Sequence, residues 1–145
     1  MAYDELARLV ASSEDAEHGK GSSPEHIKAA EETLGVRFPS EYVHFLGDFG
    51  WLAIGAAEIF GLGEDAPPYL DVVGMTLAER RDQQPSLPNN LVPVMNDGGG
   101  NLYCLDCASP GGSIVLWGHV GEMREVCVSF SRWLMGVVEV DSIAG

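Results

Sequence analysis

Cys104-Leu105-Asp106-Cys107 is the one CxxC pair in the chain, and the first place where residue spacing invites chemistry. A structural zinc site needs a full tetrahedral set of ligands. What remains to complete it is Cys127 and four histidines, His18, His26, His44 and His119, scattered without paired spacing. A thioredoxin-type motif belongs at a strand-to-helix turn, whereas this one lies at a strand end ahead of Gly111. The cysteines therefore read as small, reduced, buried side chains. Asp97-Gly98-Gly99-Gly100 has the glycine density of a phosphate loop, but it lacks the lysine of GxxxxGKS/T and no helix start follows it. Turn geometry accounts for these glycines, with a ligand or partner contact as the second reading. No GxSxG elbow organises the serines, histidines and aspartates for nucleophilic catalysis. His44 falls between Tyr42 and Phe45 on a helix face, and Glu31-Glu32 reads as a solvated one. The residues thus predict no catalytic group, no cofactor and no metal. Trp51 opens an apolar stretch, Trp51-Leu52-Ala53-Ile54-Gly55, without periodicity. It reads as a core plug or as a partner-facing patch, since tryptophan is enriched at interface hot spots.

The charge narrows the partners. The 145 residues carry 22 acids against 8 bases, a formal net charge of −14. Nucleic-acid binding needs a basic stripe that releases counterions, and an anionic membrane surface needs the same. Neither is expected here. A basic protein partner is permitted, because opposite fields speed encounter, while solubility alone also accounts for the acidity. Residues 1–71 hold 14 acids and 4 bases, a net of −10; residues 72–145 hold 8 and 4, a net of −4. The length suits one domain, which by area scaling folds to roughly 7,200 Å² of surface. No apolar run reaches the ~18 residues of a membrane span. Asp4 and Glu5 sit where a secretory signal would be basic or apolar, so a cytoplasmic protein is expected.

Elements to position these residues follow from pattern. Leu6, Leu9 and Val10 have helical spacing. Ser12 to Ser23 is polar, Gly/Ser-rich and expected to be mobile, giving an N-terminal helix and linker over 1–22 and a domain over 23–145. Ser23-Pro24-Glu25 starts a helix that Gly35 stops. Pro39-Ser40-Glu41 starts another, with Tyr42, Phe45, Leu46 and Phe49 on one face. Strand character is predicted for Ala56–Phe60, Tyr69–Val73, Leu91–Met95, Leu102–Leu105, Ile114–Trp117 and Glu125–Val128. Thr76 and Glu79 spell a capping box for a short helix to Arg81. A last helix begins near Ser129. Helices, then antiparallel strands, then a helix define an α+β fold, helices packed on one sheet.

Several segments in order resemble a known family. These are Leu34-Gly35-Val36-Arg37-Phe38-Pro39, then Tyr42, Phe45-Leu46 and Phe49-Gly50-Trp51, then Ala57 to Gly63. Leu91 to Val94 follows, with Asn96-Asp97-Gly98-Gly99-Gly100-Asn101-Leu102-Tyr103-Cys104-Leu105-Asp106, then Val115-Leu116-Trp117, His119 and Ser129-Phe130 to Leu134. From about Pro24 to Val138 the chain resembles the SUKH superfamily, the group of the fungal SMI/KNR cell-wall assembly regulators. The resemblance implies a single α+β domain, its helices packed on a mixed, largely antiparallel sheet. It also implies a non-enzymatic, protein-binding role. Bacterial members are similar to immunity proteins that bind and neutralise a cognate toxin domain, often a nuclease. On this reading Asp48, Trp51, Glu58, Glu64, Asp65, Asp97 and Trp117 are expected to contact the partner. The protein itself would be a monomer or weak homodimer. A regulatory scaffold of the fungal type, and a small-ligand or metal-binding module built on the Asp97 turn and Cys104/Cys107, are the alternatives.

Overall fold

The computed structural model describes residues 2–109 and 111–144, with side chains for 4–109 and 111–139. The expected outer bounds, residues 1 and 145, lie outside the described residues. The elements are α1 (Ala2–Ser12), β1 (Glu17–His18), α2 (Pro24–Leu34), α3 (Ser40–Asp48), β2 (Leu52–Ile54) and β3 (Ala57–Ile59). A short 3-10 turn (Pro68–Leu70) leads into α4 (Val72–Arg81), β4 (Leu91–Asn96), β5 (Leu102–Asp106), β6 (Ile114–Trp117), β7 (Met123–Cys127) and α5 (Phe130–Ala144). The surface is 7563 Å², close to the scaling expectation.

The helices begin and end where local chemistry dictates. Ser23 Oγ accepts the His26 amide at 3.1 Å, and Gly35, at φ +70°, closes α2 with its N–H on the Glu31 carbonyl. The Ser131 amide in the first turn of α5 donates to Glu41 Oε1 of α3 at 3.0 Å. Leu6 and Val10 of α1 are buried as that helix packs on α5.

The strands divide between two antiparallel sheets rather than forming the one expected. The first runs β1-β2-β3 and the second β4-β5-β6-β7. The Phe60 amide, donating to the Val94 carbonyl at 2.8 Å, ties the end of β3 to β4. Beyond it Gly61 leaves β4 and forms an isolated parallel bridge with Asp71. Four further expectations give way. Glu17–His18, inside the stretch read as a mobile linker, pairs with Ala53 and Leu52. Leu52–Ile54, read as an aperiodic loop, is the central strand of that sheet. Tyr69–Val73 is not a strand. Pro67 and Pro68 set up the 3-10 turn, and Asp71 Oδ2 accepts the Gly74 amide at 3.2 Å, starting α4 at Val72. Thr76 is therefore inside that helix rather than capping it, its hydroxyl bonded to the Val72 carbonyl at 2.6 Å.

One core joins the helices to both sheets. At its centre Tyr42 meets Phe38 and Phe130 edge-on, at ring-centroid distances of 5.2 and 5.1 Å. Its hydroxyl donates to the Phe60 carbonyl at 2.7 Å in a fully buried site, and burial pushes the phenol well above its ordinary value. The residue whose amide binds the second sheet thus has its carbonyl held by α3. Tyr42→Phe leaves that carbonyl buried and unpaired, so it is expected to cost about 1–3 kcal/mol. A urea melt read by circular dichroism checks this; an unchanged midpoint contradicts it.

Candidate partner-binding site

Three chain segments cross where side chains would not fit. Gly50, at φ +75°, accepts the Leu62 amide on its carbonyl at 2.8 Å. A Cβ on Gly61 would collide with that same carbonyl. From the other side the Ser22 amide donates to the Leu46 carbonyl at 2.8 Å, and Gly21 lies against the Gly47 and Asp48 carbonyls. The crossing brings the entry to α2, the end of α3 and the Gly63–Asp65 turn together.

Between them is a cleft of about 260 Å³. One wall is Lys20 to Ser23 with His26 from the first turn of α2; the other is Gly63, Glu64 and Asp65. Ser22 is buried, and its Oγ has no hydrogen-bond partner among the described residues. Trp51 lies under the acidic wall, 7% exposed, and its indole N–H donates to Asp65 Oδ1 at 3.2 Å. Trp51 therefore acts as a buried prop that orients a surface carboxylate. It offers little surface to a partner directly.

Of the residues expected to bind a partner, Glu64 and Asp65 line the cleft and Trp51 supports it from below. Asp48 ends α3 beside it, exposed, with His44 Nε2 at 3.5 Å from its carboxylate. Glu58 is exposed on β3. Register sets Glu17, Ala53 and Glu58 in one row across the first sheet, two carboxylates flanking a small side chain. These acidic positions lie on the segments that lead into and out of the crossing, in the −10 half of the chain. Glu17, Lys20 and Ser22 were not singled out in the sequence, and His26 was weighed only as a metal ligand; the helix start at Ser23-Pro24 was the nearest signal to them.

Asp97 and Trp117 do not line this cleft. They lie at one end of the second sheet, where Asn96, Leu102 and Trp117 stand in register. Asp97 organises its turn: its Oδ1 accepts the Gly99 and Asn101 amides at 2.7 and 3.0 Å, and its Oδ2 the Asn101 side-chain amide at 3.1 Å. Turn geometry therefore accounts for this glycine run. Cys104 is fully buried, and burial pushes its thiol up; Cys107 is pushed up to about 12, mainly by burial. These thiols are poor nucleophiles. No group of three or more His, Cys, Asp or Glu able to hold a metal ion occurs among the described residues.

Residues 4–139 match the SUKH_5 family model, described as SMI1-KNR4 cell-wall. The chain belongs to this family, which is generally non-catalytic. The match begins ahead of Pro24, taking in α1 and β1. A crystal structure of a protein from Pseudomonas syringae pv. tomato has the same fold. It is 19% identical with a TM-score of 0.71, over 92% of this chain and 99% of that one. No curated protein matches. No helix among the described residues is long and apolar enough to cross a membrane.

The Asp97 carboxyl is held below its ordinary value, first by the Gly99 amide and then by Asn101, against a smaller opposing effect of burial. Its hydrogen bonds therefore favour folding above the ordinary carboxyl value and are lost as pH falls through the lower folded value. A carboxyl carbon NMR titration of Asp97 is expected to give a midpoint below 3.8. A midpoint at or above that value contradicts the assignment.

Proposed function

We propose that the chain is an immunity protein of the cytoplasm that binds a basic toxin domain, such as a nuclease, through the acidic face around the Gly50–Gly61 crossing, and neutralises it by occupation rather than catalysis. The observation that carries this reading is the run of exposed carboxylates on the segments that meet at the crossing: Glu17 and Glu58 on the first sheet, Asp48 at the end of α3, Glu64 and Asp65 on the cleft wall. Family membership supports a protein-binding role.

A standard interface takes roughly 800 Å² per partner, about a tenth of the 7563 Å² surface. Two jobs fall to different residues. The carboxylates steer encounter, because opposite fields raise the association rate and salt screens them. The cleft supplies shape. Asp65, held by the Trp51 indole, is pre-oriented and has less side-chain freedom left to lose on binding. On a nuclease, carboxylates so placed would stand where nucleic-acid phosphates otherwise lie.

The double reversal Glu64→Lys/Asp65→Lys is expected to slow association with the toxin domain encoded beside this chain about tenfold at low salt, and far less at high salt. Surface plasmon resonance across a salt series reads this, with Glu122→Lys on the opposite half as control. Equal losses from both variants would remove this face from the reading. No complex and no protection on co-expression would remove the toxin.

A further inference from the structure

A second cleft, of about 210 Å³, opens at the end of the second sheet, away from the acidic face. Met75 and Glu79 reach it from α4, Gln83 from the loop after α4, Asn96 from the β4–β5 hairpin, and Trp117 and His119 from the end of β6. Glu79 is the unusual member. Its side chain is partly buried, and burial raises its carboxyl above the ordinary value. Yet among the described residues its carboxylate accepts no hydrogen bond and forms no ion pair, the Leu87 amide going to its main-chain carbonyl instead. Burial takes part of the water from this carboxylate, and no protein group replaces it. The cations next to it in sequence do not relieve it. Arg80 spends both terminal nitrogens on the Leu34 and Asn89 carbonyls, at 2.8 and 2.9 Å, and Arg81 pairs with Asp82 at 3.2 Å.

Trp117 is the second unusual member. It is half-buried, and its indole N–H has no acceptor among the described residues. Register pairs it with Met123, which is 59% exposed, so its surroundings on β7 stay open to solvent. An electron-rich ring and an unpaired carboxylate thus share one small cleft, with the Gln83 amide beside them. An anion would meet Glu79. An uncharged apolar group would displace water from it without replacing the lost hydrogen bonds.

We propose that this cleft binds an organic cation, a guanidinium or alkylammonium group, with Glu79 as the counter-charge and Trp117 as the ring face it lies against. Each contact is an ordinary one. Carboxylates pair with guanidinium through charge-assisted hydrogen bonds, and tryptophan is the best aromatic partner for a cation. The Gln83 side-chain oxygen is an acceptor for a donor left over. The group would come from an arginine or lysine of a protein, or from a free guanidine or diamine. The site does not rest on the toxin reading, because it uses none of the acidic face.

The test is a titration of the full chain followed by proton–nitrogen NMR of the indole N–H signals, assigned with Trp117→Phe. The probes are agmatine, acetyl-Gly-Arg-Gly-amide and the same peptide with uncharged citrulline for arginine. The arginine-type probes are expected to move the Trp117 signal saturably while those of Trp51 and Trp133 stay still. Glu79→Gln, checked for folding by circular dichroism, is expected to weaken binding at least about tenfold. Tighter binding of the arginine peptide assigns the cation to a protein side chain; tighter binding of agmatine assigns it to a free guanidine. The proposal is overturned if citrulline moves the signal as much as arginine. It is equally overturned if Glu79→Gln binds as well as the parent chain, or if neither arginine-type probe saturates below about 50 mM, a range generous for a group of this size.

Discussion

The carbonyl of Gly50 occupies the space a side chain on Gly61 would need, and it receives the amide of Leu62. That contact is backbone on backbone, and little else in the first half of the molecule could form without it. It lets β3 finish against α3, so that the Gly61 amide can reach the Leu70 carbonyl and the Val72 amide the Gly61 carbonyl, at 2.8 and 2.9 Å. Those bonds fix where α4 starts. On the other side the Ser22 amide anchors the N-terminal segment to α3, and β1 is laid along β2. Any Cβ at the crossing would have to push a main chain aside, because there is no flexible side chain there to yield.

The aromatic core answers the crossing from within. Tyr42 and Phe45 of α3 meet Phe130 of α5, and the Tyr42 hydroxyl ends on the Phe60 carbonyl. Phe60 therefore has its amide in the second sheet and its carbonyl on α3, one residue before Gly61. Packing and hydrogen bonding hold the same short segment from both sides. The acidic face is a consequence of this arrangement. Glu64 and Asp65 are on a wall because the chain has just passed Gly50, and Asp65 is held there by Trp51, whose ring the crossing buries.

What was legible in the sequence is what local rules decide. Ser23-Pro24 and Gly35 bracket α2 because capping and a left-handed stop need only neighbouring residues. Leu91 to Asp106 reads as a hairpin because two runs of strand character flank the tight turn at Asp97-Gly98-Gly99-Gly100. Glu17–His18 was illegible: two polar residues carry no period, and only Ala53 and Leu52 make them a strand. Tyr69–Val73 misled because a short apolar run suits a strand as well as a helix start, and the deciding cap is a single bond donated by the Gly74 amide to the Asp71 carboxylate. Trp51 was marked correctly as unusual, but its hydrogen bond to Asp65 joins positions brought together only by the crossing. The cleft of Glu79 and Trp117 had no sequence signal, since its walls come from separate elements.

Native-state hydrogen exchange tests most directly whether the crossing holds the fold together. The amides of Ser22, Gly61, Leu62 and Val72 should exchange only through global unfolding, with the same free energy and denaturant dependence as the slowest amides of β4 and β5. If they open locally, at a free energy well below the global value while the second sheet stays protected, the crossing is a passive contact and the account of the acidic face built on it fails.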